Sequence, residues 1–131
     1  MERAYLVQVL IVGAGGFIGS GLRFAVSGWV QRVFTVSQFP YGTLTVNAVG
    51  CLLIGYLAGI AELRQALDPA TRLFLVAGIL GGFTTFSAFA FESLALAQEY
   101  QYMKAILNTV AQVVIGITAA WMGFGLARVM S

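Results

Sequence analysis

The sequence predicts an all-α membrane protein with four transmembrane helices per subunit, and three observations carry that expectation. Of 131 residues, 60% are hydrophobic and 9% charged, with a mean hydropathy of +0.90, whereas soluble domains carry roughly 25% charged residues. A soluble domain this short hides only about 60 to 70% of the surface its unfolded chain exposes, so the apolar excess needs lipid to cover it. The apolar residues also fall into four runs, near 5–30, 42–61, 72–98 and 103–127, and a spanning helix takes about 20 such residues. Residues 1–131 are therefore expected to form a single four-helix transmembrane domain with short connections.

The first run follows Glu2 and Arg3. A signal peptide cut after Ala25-Val26-Ser27 fits it poorly, because Arg23 would sit just before the cut and the run is too long and too glycine-rich. Its glycines instead suit close helix packing, since Gly15 and Gly19 have the small-xxx-small spacing that lets membrane helices meet through their backbones. The stretch GAGGFIGSG is not a nucleotide loop: it misses the G-x-G-x-x-G spacing and has no following lysine and no strand before it.

The polar segment 31–41 separates the first two runs, and Pro40 stands at the entry to the second. A charged separator, 62–70, ends in Asp68-Pro69, a cap-like start for the third helix. That third run repeats the small spacing at Gly78 and Gly82. It then places Gly81-Gly82 and Thr84-Thr85 in mid-span, poor helix material whose interruption would free carbonyls that lipid cannot satisfy. Two outcomes are open. Two copies meeting on a two-fold axis could each offer carbonyl oxygens to one shared hard cation, or a kink could be relieved by Ser or Thr back-bonding. A short hinge at 98–102 leads into the fourth run.

Charge and thiol content exclude several functions. Seven Lys and Arg against five Asp and Glu give +2, too weak and scattered for nucleic acid. With no histidine and one cysteine, Cys51, there is no intrachain disulfide, no transition-metal ligand set and no recognisable nucleophile with its base, so no enzymatic activity is expected. Four spans put Arg3, Arg64, Arg72 and Arg128 on one side. Arg32 and Lys104 lie on the other, joined by Arg23 if it sits at that interface. This near tie gives the positive-inside rule little to act on. Insertion in both orientations, and with it an antiparallel dimer, is as consistent with the count as a single orientation set by a small bias.

Polar groups inside the spans are the informative ones, because an ionisable group at mid-span costs about 2.5 to 3.5 kcal/mol unless partnered. They are Arg23; Thr43, Thr45 and Asn47; Thr84, Thr85, Ser87 and Glu92; and Asn108, Thr109, Gln112 and Thr118. Most are neutral donors. Such groups can bind an anion without the deep well of a buried lysine, which suits an anion pore, although interhelical hydrogen bonding is the better account of any single one of them. Phe83, Phe86 and Phe89 share a helix face. Aromatic rings have a positive edge, and Thr85 and Glu92, seven apart with Phe89 between, put polar groups beside them. Glu92 reads either as a pore-mouth or proton-linked group or as a paired carboxylate.

Three stretches, GTLTVNAVGC at 42–51, GILGGFTTFSAF at 78–89 and GAGGFIGSGLRF at 13–24, closely resemble the small bacterial fluoride channels called Fluc or CrcB. The resemblance runs in order over nearly the whole chain. It implies a third helix broken mid-membrane, an antiparallel dual-topology homodimer with two fluoride pores, and a central structural sodium ion that is not transported. By position, Asn47 is implied as the pore amide, Phe86 and Phe89 as the rings whose edges meet fluoride, and Ser87 and Thr85 as hydroxyls on the route. Gly81 and Thr84 are implied to give sodium their backbone carbonyls. Arg23 and Glu92 match polar positions of the family, while Asn108 and Gln112 are candidates in its variable fourth helix. The family often has Ser-Thr between the two phenylalanines; here the pair is Ser87-Ala88, so one hydroxyl is missing.

The expected function is passive export of fluoride across a bacterial inner membrane, with fluoride, a second copy of the chain and the lipid bilayer as partners. A small proton-coupled multidrug exporter would need a carboxylate in the first span, which has none. A non-transporting scaffold would leave the segment from Gly81 to Thr84 without a purpose.

Overall fold

The computed structural model describes residues 2–64 and 67–130, without the side chain of Arg64. Positions 65 and 66 of the separator and the Arg64 side chain counted for topology lie outside the described residues. Helix α1 is Glu2–Val33 and α2 is Tyr41–Arg64. The third span, Pro69–Gln98, is composite: α3 (Pro69–Arg72), a π-helical segment (Leu73–Leu80), α4 (Gly81–Phe83) and α5 (Phe86–Gln98). Helix α6 is Tyr102–Val129. No strand occurs among the described residues, and four helices are long and apolar enough to cross a membrane. Even the 24 residues of α2 reach about 36 Å at 1.5 Å per residue, beyond the roughly 30 Å of a hydrocarbon core.

Each helix end has a local cause. Gln31, near the end of α1, donates through Nε2 to the Phe39 carbonyl (3.1 Å) and accepts the Gly42 N–H (3.2 Å), so one side chain ties α1 to the start of α2. Asp68 caps α3 by accepting the N–H groups of Ala70 and Thr71 at 3.0 and 3.1 Å, with Pro69 in the first turn, as the sequence led us to expect. The Thr71 hydroxyl and N–H hold the Asp68 carboxyl below the usual carboxylate range. Helix α5 ends in a reversal in which Gln101 N–H reaches the Leu96 carbonyl (2.8 Å) and Tyr100 N–H the Ala97 carbonyl (3.1 Å). Tyr100 has φ of 61°, where glycine is usual. Tyr100→Gly is expected to stabilise the fold by about 1 kcal/mol through relief of this left-handed conformation, read as a higher thermal midpoint in detergent.

The third span crosses the bundle. Its π-helical segment and α4 pack on α1, while α5 packs on α6, and the most extensive contact of all joins α2 to α6. The spacing of Gly15, Gly19, Gly78 and Gly82 serves the first of these contacts. A Cβ on Gly15 would lie 2.6 Å from the Phe74 carbonyl oxygen and 2.8 Å from the Gly78 Cα, and one on Gly82 would lie 2.7 Å from the Gly16 oxygen. The α2–α6 contact uses glycines that the spacing argument did not single out, with Gly55 against the Ala120 carbonyl and Gly123 against that of Leu52. Gly78→Val is expected to abolish recovery of folded protein, because backbone faces the added methyls on α1; a normal monodisperse yield would refute the close approach.

The backbone leaves the helical region at Thr84 (ψ 156°) and Thr85 (φ −152°, ψ 116°). The glycine pair does not cause this directly, since Gly81 is itself helical at φ −62°, ψ −37°. Threonine hydroxyls offer the chain alternative partners: Thr84 Oγ1 donates back to the Leu80 carbonyl (2.9 Å), the back-bonding weighed from sequence. Little is fully buried within one copy. Val46 and Asn108 are the largest fully buried side chains, while Phe17, Phe24 and Phe86 are among many exposed apolar groups.

Candidate functional site

Asn47, on α2, faces the extended pair and clasps it. Its Oδ1 accepts the Thr85 N–H at 2.8 Å, and its Nδ2 donates to the Thr85 carbonyl and to Gln112 Oε1, both at 3.0 Å. Thr85 Oγ1 in turn accepts the Ala88 N–H at 3.2 Å, capping α5, and lies 3.3 Å from Ser87 Oγ. In an uninterrupted helix the N–H groups of Thr85 and Ala88 would serve the carbonyls four residues back, those of Gly81 and Thr84. Both are diverted, so the two carbonyls implied as cation ligands are among those released from helical bonding by the break, which also frees those of Gly82 and Phe83. Among the described residues no group of three or more His, Cys, Asp or Glu could hold a metal. Neutral, hard carbonyl oxygens suit an alkali cation.

Asn47, Thr85, Phe86, Phe89, Gln112 and Gly81 line one cavity of about 340 Å³, together with Thr84. The rings of Phe86 and Phe89 meet edge to face, with centroids 5.2 Å apart and planes at 78°. Phe89 is buried at 9% exposure, but Phe86 is 78% exposed and stands out from the helix bundle. This arrangement sets an edge-to-face ring pair, whose edges carry the positive part of the quadrupole, beside neutral amide and hydroxyl groups.

A second cavity of about 410 Å³ holds Arg23, Glu92, Thr43, Ser20 and Ser27. Thr85 lines both cavities. Thr43 donates to Glu92 Oε1 at 2.5 Å, and Glu92 Oε2 is buried without a hydrogen-bond partner. Ala88 lines this cavity too, so the hydroxyl absent from that position is absent from this wall.

The structure thus gathers nine of the eleven residues singled out from sequence around two adjoining cavities. Ser87 is exposed and joins them only through its contact with Thr85. Asn108 lines neither cavity; fully buried, it donates to Ser93 Oγ at 2.9 Å and fastens α6 to α5. Thr43 as the partner of Glu92, and Ser93 as that of Asn108, were missed. A hydroxyl in one span and a carboxylate or amide in another is the only sequence signal, and it does not specify the pairing.

Comparison with known proteins identifies the family. The family described as CrcB-like protein, Camphor Resistance (CrcB), matches residues 10–124. The chain is 44% identical over 123 residues to the protein named Fluoride-specific ion channel FluC of Methylobacillus flagellatus, covering 94% of this chain and 96% of that one. It is 42% identical over 123 residues to a protein of the same name from Nitratidesulfovibrio vulgaris, covering 94% and 98%. It is 42% identical over 118 residues to Fluoride-specific ion channel FluC 1 of Methanosarcina acetivorans, covering 90% and 88%. With matched residues in all four long helices and around both cavities, the chain belongs to the CrcB family.

Proposed function

We infer that the protein is a fluoride-specific channel that lets fluoride leave the cytoplasm passively across a bacterial inner membrane. The observation that carries this reading is the first cavity, where an edge-to-face phenylalanine pair adjoins the amides of Asn47 and Gln112 and the hydroxyl of Thr85, with no charged side chain among the described residues of the wall. Fluoride is small and accepts hydrogen bonds strongly, so a narrow series of donors and ring edges can replace its water while serving the larger chloride poorly. The names of the relatives support the choice of ion. Outside the cell, acid converts fluoride to membrane-permeant HF; inside it is trapped as the anion, and an anion leak driven by the negative interior lowers it.

In this reading the extended pair Thr84-Thr85 lies at mid-membrane and two antiparallel copies meet there. Each copy turns the released carbonyls of Gly81 and Thr84 toward one structural sodium ion, which is not transported. The protruding ring of Phe86 fits a path completed by the second copy. Ser87 extends the hydroxyl route, and Arg23 and Glu92 form the polar chamber that continues it. No step of this passive process is enzymatic.

The test is purified protein in sealed vesicles loaded with fluoride, followed with a fluoride electrode, with chloride as control. Rapid fluoride release and negligible chloride release are expected; impermeability, or equal release of both, would reject the reading. Tags at the C-terminus are expected to label from both faces of the membrane in comparable amounts, and one-sided labelling would remove the dual topology.

A further inference from the structure

At about 1.5 Å per residue the 30-residue third span is about 45 Å long, against roughly 30 Å of hydrocarbon, so about five residues at each end lie among the lipid headgroups. Arg72, the fourth residue of the span, falls in that layer. Its nearest acidic neighbour along the helix is Asp68, one turn earlier and in the favourable acid-before-base order. That carboxylate is already committed: Oδ1 accepts the N–H groups of Ala70 and Thr71, and Oδ2 accepts the Thr71 hydroxyl. The Arg72 backbone N–H donates to the Asp68 carbonyl at 3.0 Å, but among the described residues its guanidinium makes no ion pair or hydrogen bond.

Arg72 lines a cavity of about 430 Å³, larger than either of the two described above. Leu67, Pro69, Leu73, Val76 and Ala77 form the rest of its described wall, and all are apolar. Leu73, Val76 and Ala77 follow Arg72 by one, four and five residues, so the groove starts at the guanidinium and runs inward along one side of the π-helical segment, toward hydrocarbon. Ala77 is exposed, and Leu73 and Val76 are only half-buried, so the other helices of the chain leave this side open. A free cation at the headgroup level thus heads an apolar track that descends into the membrane.

We propose that this groove holds one anionic phospholipid, its phosphate on the Arg72 guanidinium and an acyl chain along Leu73, Val76 and Ala77. A planar guanidinium offers phosphate two parallel N–H groups, and basic pockets beside transmembrane helices take anionic headgroups. A zwitterionic lipid fits less well, because its own ammonium group already neutralises the phosphate. Inorganic phosphate would use Arg72 and leave the apolar wall bare. The site does not depend on which ion the protein carries.

Purified protein in detergent micelles is analysed by native mass spectrometry with equimolar phosphatidylglycerol and phosphatidylcholine of the same acyl chains. The parent is expected to retain phosphatidylglycerol at least about fivefold over phosphatidylcholine, and Arg72→Gln to lose that preference. Arg128→Gln controls for general basicity: that guanidinium lies over the Phe124 ring, 4.7 Å from its centre, and its loss should leave the preference intact. Equal retention of both lipids by the parent, a preference unchanged in Arg72→Gln, or an equal loss in both arginine variants overturns the site. Ala77→Phe fills the apolar end of the groove and spares the guanidinium, so it decides the matter if Arg72→Gln does not fold. It is expected to lower phosphatidylglycerol retention at least about threefold, and unchanged retention overturns the proposal. Displacement of the lipid by inorganic phosphate would make this a site for the free anion. A shifted elution volume of Arg72→Gln on size exclusion, with lipid retention unaltered, would give the groove to a second copy; either result overturns the proposal.

Discussion

Asn47→Leu is expected to lower fluoride release at least about a hundredfold, the largest effect of any single substitution outside the glycines. Three hydrogen bonds end at this side chain, two of them on the backbone of Thr85. Leucine leaves the Thr85 N–H and carbonyl facing hydrocarbon, and a buried unsatisfied group costs about 1 to 3 kcal/mol. The thermal midpoint is therefore expected to fall together with transport, and a factor of one hundred in rate corresponds to about 2.7 kcal/mol. Asn47→Asp separates the two contributions: it retains an acceptor for the Thr85 N–H but loses both donated bonds, so it should recover part of the stability and little of the transport. Normal release by Asn47→Leu would show that the clasp on Thr85 does not shape the path.

Phe86→Leu is the second large effect, with the opposite balance between transport and stability. The ring is 78% exposed on the helix bundle, so leucine opens no void inside it, and the thermal midpoint should hold. What disappears is the positive ring edge beside the cavity and the edge-to-face contact with Phe89. Aromatic edge interactions amount to about 0.5 to 1.5 kcal/mol, which sets the expected loss of fluoride release at up to about tenfold. Retention of full release would remove ring edges from the account of anion binding. Phe89→Leu is the control for packing, because Phe89 is buried and its substitution should lower stability as well.

How much of this was legible in the residues alone depends on whether the cause was local. The four spans, the Asp68-Pro69 start and the Gly15/Gly78 approach follow from run length, capping chemistry and small-residue spacing, all readable along a single stretch. In the third span the backbone leaves the helical region at Thr84 and Thr85 and the glycine pair stays helical, which composition did not specify. The reason is tertiary: Asn47, 38 residues away, supplies partners that a helix would otherwise provide. The same limit hid the Thr43–Glu92 bond, which joins groups 49 residues apart. Tyr100 was illegible for a different reason, since its left-handed conformation occurs without the glycine that normally announces it. The π-helical segment leaves no compositional mark, being a plain apolar run from Leu73 to Leu80.

The threonine shared by the two cavities has a further consequence. Thr85 Oγ1 is pinned as the acceptor of the Ala88 N–H, so the oxygen cannot swing aside without unfastening the start of a helix. Its hydrogen can turn about the C–O bond, with Ser87 Oγ within reach at 3.3 Å as one acceptor. The wall that the two cavities share then carries a heavy atom held in place and a hydroxyl dipole that can reorient with no rearrangement of the scaffold.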